Sequence, residues 1–382
     1  MIEVPLTGGA VQVRGAVWIE PTARGIRPRR FAPEAARRIV DDFMRASLTQ
    51  SAGVRLAFRT AATRLVLRVH ATKLAESADA PLPAAVYDLS AGGEVVATAE
   101  SDDGSRFLFS FDEPVHGVVP GGDATLRFDL DGVERDYELW LPYTDEVELL
   151  GLSADAALAP PADGGRRRWV HHGSSISHGY LASRTTRTWP VIAAQSMGLE
   201  LVNLAYSGNA LLDQSTARTL RDTPGDVMSV KLGINIVNGD MMRLRVFRSA
   251  VHGFLDTIRD GHPDTPLLVV SPVSCPPVED LPGPTIFDPT RTDKWVTTAG
   301  TREQLAEGKL SLAVIRRELA EIVAARRSED PHIDHLDGSL LYSAADSERL
   351  PMPDNLHPGD DVNALIAARF AERAFRHERS PL

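Results

Sequence analysis

Four short segments of this 382-residue chain carry side chains suited to acyl chemistry. Ser175 stands in His172-Gly173-Ser174-Ser175-Ile176-Ser177-His178-Gly179, directly after the strand-like run Trp169-Val170-His171-His172. A serine at a strand-to-helix turn is exposed above the sheet edge, and small neighbours let a carbonyl approach its backbone. Its hydroxyl is a useful nucleophile only when a base removes the proton. The candidate base lies in Pro353-Asp354-Asn355-Leu356-His357-Pro358. Asp354 and His357 are three positions apart in a turn, so the carboxylate can accept from Nδ1–H while Nε2 faces outward for the serine proton. Donors for a developing oxyanion are offered by Ser207-Gly208-Asn209 and Gly233-Ile234-Asn235, each just beyond a predicted strand. Each segment alone also has a structural reading: a loop serine capping a helix, a stapled helix entry, two tight turns.

Other reactive side chains are weaker candidates. His171 and His172 are adjacent and point to opposite faces of a strand, and neither they nor His332 and His335 come with a set of carboxylate ligands, so no metal is expected. His178 either touches substrate or is a satisfied loop histidine. Trp295 and Phe287 either line an acyl pocket or anchor the long stretch Cys275 to Gly300, which lacks periodicity and reads as a lid or a surface insertion. Cys275 is the single cysteine, so no intramolecular disulfide or cysteine zinc site can form, and no base is tied to it in sequence.

The elements that must position these residues fall into two textures. Residues 1–160 offer short alternating runs: Val11–Val13, Val54–Arg59, Thr63–Val69, Ala85–Leu89, Glu94–Ala99, Arg106–Phe111, Ala124–Leu130 and Tyr137–Leu141. Turn signals separate them, and one helical patch, Pro33 to Phe43, interrupts them, which predicts a β-sandwich. Ser153 to Gly165 is small, Pro-rich and Gly-rich, and reads as the linker. Residues 166–382 alternate strand and helix. Helices are predicted over Trp189–Met197, Leu211–Arg221, Met241–Asp260 and Arg302–Arg326, with a last helix capped by Asp360. Strands are predicted over Leu199–Ala205, Asp226–Leu232, Pro266–Val273 and Ile333–Leu336. Such alternation predicts a parallel sheet with helices on both faces and a site at the carboxyl ends of its strands.

Composition removes other classes. Hydrophobic residues are 43% and charged residues 24%, with a net charge of −11. That balance is ordinary for a globular protein and supplies no basic footprint for nucleic acid or an anionic membrane. With no apolar span and no signal-peptide pattern, a cytoplasmic location is the expectation.

Together the blocks Ser, Gly, Asn and Asp/His, in that order, resemble the SGNH (GDSL-type) hydrolases over roughly residues 166 to 378. The resemblance implies a three-layer α/β/α flavodoxin-like domain with Ser175 as nucleophile. It implies oxyanion donors at the Ser175 N–H, the Gly208 N–H and the Asn235 side chain, with His357 as base and Asp354 as its partner. It implies no cofactor. The usual Gly-Asp-Ser-Leu is here Gly173-Ser174-Ser175-Ile176, and the usual Gly-x-Asn-Asp is Gly233-Ile234-Asn235-Ile236, so two loop-bracing carboxylates are absent. These variants, with a β-rich front half, resemble a subgroup whose N-terminal domain is a jelly-roll-like β-sandwich and which includes an acyltransferase of natural-product tailoring. The expected partner is a small-molecule ester, an acylated sugar or glycoside among the candidates. An acyltransferase, a non-catalytic carbohydrate-binding protein and a structural β-sandwich partner are the rival expectations. The sequence leaves oligomeric state open.

Overall fold

The computed structural model describes residues 1–38, 41–109, 117–162, 164–376 and 382. Of the predicted elements, Ile39 and Val40 in the helical patch, Ser110 and Phe111 at one strand end, and Asp163 in the linker lie outside the described residues. The chain forms two compact units. The first holds residues 1–166 with the short segments 184–186 and 200–203, and the second holds the remainder.

The first unit is built from two sheets. One is eight-stranded and centred on the long strands Arg64–Ala75 and Asp145–Ala154, and the other is six-stranded and centred on Arg55–Thr60, Arg135–Trp140 and Ala85–Ala91. Pairing is antiparallel except where Arg64–Ala75 meets Ser105–Leu108 in parallel. Period-two sequence gives each sheet one apolar face. Ala124, Leu126 and Phe128 point inward from their strand while Thr125, Arg127 and Asp129 stay exposed. Leu65, Leu67, Val69, Leu126, Phe128, Val147 and Leu149 of one sheet share a core with Leu56, Phe58, Tyr87, Leu89, Tyr137 and Leu139 of the other. This is a β-sandwich, as the alternating runs predict.

Several elements depart from the sequence reading. The predicted linker starts too early, because Ser153 and Ala154 end the strand Asp145–Ala154 and Leu158–Ala159 pairs with Arg55–Thr60. The strand Asp145–Ala154 was not predicted. It buries carboxylates, which remain there because Lys73 pairs with Asp145 at 2.7 Å and Arg24 with Glu148 at 2.7 Å. The helical patch is two helices, Pro33–Ala36 and Asp42–Thr49, the second capped by Asp41 accepting from the Met44 N–H at 2.6 Å.

In the second unit the strands Arg168–His172, Val227–Lys231, Leu267–Val270 and Ile333–Leu336 run parallel in that order. The segment Glu200–Asn203, which groups with the first unit, is a strand within the predicted Leu199–Ala205. Val227–Lys231 and Leu267–Val270 are buried at every position, which is why they read as continuous apolar runs. Helices pair in two groups, Trp189–Met197 with Asp360–Ala371, and Gln214–Asp222 with Leu244–Arg259. The result is the three-layer α/β/α arrangement. An aromatic cluster joins the first strand to the last helix: the Phe370 ring lies 5.1 Å from Trp169 and 5.0 Å from Trp189. The predicted helix Arg302–Arg326 is broken by Gly308, in the left-handed region, into a 3₁₀ segment Arg302–Glu307 and the helix Leu312–Arg326. The last helix is capped by Gly359, with Asp360 its first residue. Cys275 to Gly300 is not structureless, because Thr285–Phe287 and Val296–Thr298 form an antiparallel hairpin. No helix among the described residues is long and apolar enough to cross a membrane.

One buried charge in this sheet gives a direct test. Lys231 ends the strand Val227–Lys231, is 1% exposed, and its Nζ has no hydrogen-bond partner. Burial, reinforced by the Arg316 guanidinium, pushes its pKa down to about 7. The folded chain therefore binds fewer protons than the unfolded one, whose lysine titrates near about 10.4, so the penalty is full at pH 7 and fades as pH rises toward that value. Lys231→Met is expected to stabilise the protein toward urea more at pH 7 than at pH ~9.5. An equal difference at both pH values would contradict this account.

Candidate active site

Ser175 opens a one-turn helix, Ser175–His178, at the end of the strand Arg168–His172. Ser174 is its N-cap, the side chain accepting from the Ile176 N–H at 3.3 Å, so a serine serves the cap where the related pattern has an aspartate. Gly173 is required, because a Cβ there would lie 2.5 Å from the Ser177 hydroxyl. Ser175 itself is 8% exposed. Its N–H stands in the first turn, where helix N–H groups have no intrahelical acceptor.

The second piece is the turn Asp354–His357. One Asp354 oxygen, Oδ1, accepts the N–H groups of Leu356 at 2.9 Å and His357 at 2.6 Å. The other, Oδ2, meets His357 Nδ1 at 2.6 Å. Burial raises the cost of this carboxylate's charge, but the His357 imidazole and the two backbone donors outweigh it and hold Asp354 below the usual carboxylate range. An ionised Oδ2 accepts only, so Nδ1 carries a proton and Nε2 presents its lone pair. Nε2 lies 2.8 Å from Ser175 Oγ. The structure thus brings the three sequence-predicted residues into one hydrogen-bonded line. Tyr180, which the sequence reading passed over, packs its half-exposed ring 4.6 Å from the His357 ring at 68°.

The third piece is the pair of loops expected to hold an oxyanion. Gly233 adopts φ 117° and leads into the helix Ile234–Asn238, which was not predicted. A Cβ on Gly233 would meet Ile315 at 2.5 Å. Asn235 is 6% exposed, and its Oδ1 accepts the Ala210 N–H at 3.1 Å, which orients the amide so that Nδ2 is its remaining donor. Gly208, two residues before Ala210, has φ 71°. The preceding N–H, of Ser207, donates to His178 Nδ1 at 3.2 Å. His178 is therefore the satisfied histidine of the two readings, and it braces the Gly208 loop. His171 meets the Ser229 hydroxyl at 2.7 Å, and burial holds its pKa well below the ordinary value. His172 donates to the Leu204 carbonyl at 2.7 Å. Cys275 is buried, and that burial, with Glu279 and Asp354 nearby, pushes the thiol up to about 12. Among the described residues no group of three or more His, Cys, Asp or Glu could hold a metal ion.

A second Ser–His–Asp array, unanticipated from sequence, lies in the β-sandwich. His70 meets Asp123 through Nδ1 at 2.8 Å and Ser105 Oγ through Nε2 at 2.9 Å. Ser105 Oγ also accepts the Gly121 N–H at 3.2 Å, and Arg24 donates to Asp123 at 3.0 Å. These residues sit on or beside neighbouring strands, Arg64–Ala75, Ser105–Leu108 and Ala124–Asp129, and the array ties them together.

Residues 166–297 match the GDSL-like Lipase/Acylhydrolase family. The match covers about a third of the chain, and with the likenesses below it makes the protein an enzyme of acyl-ester chemistry, a carboxylic ester hydrolase or an acyltransferase. The matched span ends before Asp354 and His357. No curated protein matches the chain by sequence. Among solved structures, a salicylyl-acyltransferase, SsfX3, from a tetracycline biosynthetic pathway is similar at 26% identity and TM-score 0.79, covering 97% of this chain and 95% of its own. A GDSL-like lipase from Bacteroides ovatus is similar in fold at 18% identity and TM-score 0.66, with the same coverage. A family two carbohydrate esterase from Clostridium thermocellum shares the fold at 12% identity and TM-score 0.61, covering 95% of this chain and 97% of that one.

Two substitutions test the site. Asp354→Asn keeps the size but lets the imidazole take the wrong tautomer, and kcat is expected to fall about 10⁴-fold with KM little changed. Asn235→Ala is expected to lower kcat about 10²–10³-fold. Steady-state kinetics on a p-nitrophenyl ester read both, and losses confined to KM would refute these roles.

Proposed function

We propose that this chain is a serine esterase that also has the chemistry for acyl transfer, acting on short acyl esters of small molecules or sugars through Ser175, His357 and Asp354. The observation that carries the proposal is the continuous line from Ser175 Oγ to His357 Nε2 at 2.8 Å and from His357 Nδ1 to Asp354 Oδ2 at 2.6 Å. Ser175 Oγ attacks the ester carbonyl carbon while its proton passes to Nε2. The imidazolium so formed is held by the Asp354 carboxylate. The oxyanion is met by the N–H groups of Ser175 and Gly208 and by Asn235 Nδ2. Collapse breaks the bond to the alkoxy oxygen, which leaves with the proton from Nε2. His357 then takes a proton from an incoming water or hydroxyl, whose oxygen bonds to the acyl carbon; collapse breaks the bond from that carbon to Ser175 Oγ, which leaves with the proton from Nε2.

Water as acceptor gives hydrolysis, and a second hydroxyl gives a new ester. The likeness to a salicylyl-acyltransferase across nearly the whole chain favours carrying the transfer reading beside hydrolysis. The carbohydrate esterases share only the fold, so a sugar ester rests on the sequence expectation rather than on them.

A fluorophosphonate probe is expected to label wild-type protein at Ser175, with labelling lost in Ser175→Ala and His357→Ala. Persistent labelling at Ser105 in Ser175→Ala would overturn the assignment, and so would an unlabelled wild type, the outcome for a non-catalytic binding protein. Adding alcohol acceptors to ester turnover and weighing the products then separates transfer from hydrolysis.

A further inference from the structure

We infer that Asn355 is a positioning residue that fastens the Asp354–His357 turn to the hairpin Thr285–Thr298. The inference rests on the proposed role of His357 as base. Asn355 has φ 69°, a left-handed conformation that asparagine tolerates better than most residues. This bend lies inside the loop by which the Leu356 and His357 N–H groups fold back to Asp354 Oδ1. The side chain has a separate task. Its Nδ2 donates to the Val296 carbonyl at 2.9 Å, while the Val296 N–H donates to the Asp354 carbonyl at 2.9 Å. Both backbone groups of one hairpin residue are thus spent on the catalytic turn. On the other side of the turn, the buried Cys275 thiol donates to the Asn355 carbonyl at 3.5 Å.

The hairpin also reaches the other half of the proposed machinery. Its register pairs Thr285 with Thr298 and Phe287 with Val296. At its base, Gly283 packs where a Cβ would stand 1.7 Å from the Val237 carbonyl, and Thr285 Oγ1 donates to the Asn238 carbonyl at 3.5 Å. Val237 and Asn238 belong to the helix that carries Asn235. One small sheet therefore bonds to the segment bearing the base and packs on the segment bearing an oxyanion donor. The Asn355 amide is a side-chain fastening between this sheet and the turn, and without it the imidazole loses a constraint on its approach to Ser175.

Three variants test this. Asn355→Gly keeps the left-handed backbone and removes the amide. Asn355→Asp keeps the shape and replaces the donor with an acceptor facing a carbonyl. Asn355→Ala also strains the backbone. Asn355→Gly is expected to lower kcat about tenfold or more with KM within about twofold, since misplacement acts on the chemical step. The rate of Ser175 phosphonylation should fall by the same factor, and Asn355→Asp should fall further. A melting curve accompanies each variant, because a merely structural role would lower the midpoint without changing kcat at 25 °C. Asn355→Gly with kcat and phosphonylation within about twofold of wild type would overturn the inference, as would a loss seen only in KM. Failure of the wild type to react at Ser175 would instead remove the proposed function on which the inference rests.

Discussion

The constraint on which the site depends is the saturation of one carboxylate. Asp354 receives Nδ1 of His357 on one oxygen and two backbone N–H groups on the other, all within 2.9 Å. Four residues of chain thereby hold an imidazole in one tautomer, and the Tyr180 ring packed on it helps to fix its orientation. The same bonds explain why the acid stays ionised below its ordinary range despite the cost of desolvation. A base prepared in this way still has to meet a serine 182 positions earlier.

That meeting is arranged by packing remote from the reacting atoms. Trp169, on the strand that leads to Ser175, stacks on Phe370 of the last helix, and Trp189 contacts both rings. Asn363 adds a polar link. Its Oδ1 accepts the Trp189 N–H at 3.0 Å, and its Nδ2 donates to the carbonyls of Pro358 and Gly359 just past His357. Ser183 reinforces the link from the nucleophile side, donating through N–H and hydroxyl to Asp360 at 2.8 and 2.6 Å. Aromatic burial supplies the attraction, and these directional bonds fix the distance between the two loops.

The parts of this arrangement legible in the sequence are those governed by local rules. The glycine and serines around Ser175 are dictated by space, as the crowding at Gly173 demonstrates. Asp354 and His357 were readable as a pair because a three-residue separation in a turn is itself the geometry. Strands buried on all sides read as apolar runs. What was not legible depends on distant partners. The strand Asp145–Ala154 hides behind its acidic residues until Lys73 and Arg24 neutralise them. The hairpin Thr285–Thr298 has two short strands without periodicity, and it meets the Asp354–Asn355 turn through the N–H and carbonyl of Val296, backbone groups that leave no mark in the hairpin's own sequence. Tyr180 drew no attention in the sequence because its contact with His357 crosses most of the second unit's sequence. The two absent family carboxylates also become intelligible: Ser174 keeps the cap, while Ile236 is buried at 1% exposure where a charge would be costly.

The central claim is that Ser175 and His357 act as one device. A kinetic cycle of Ser175→Ala, His357→Ala and the double variant measures this directly. If the pair is a unit, either single loss removes nearly all the acceleration and the double variant is scarcely worse than the singles. Losses that add in free energy would mean that the two side chains work independently, and the account would be wrong.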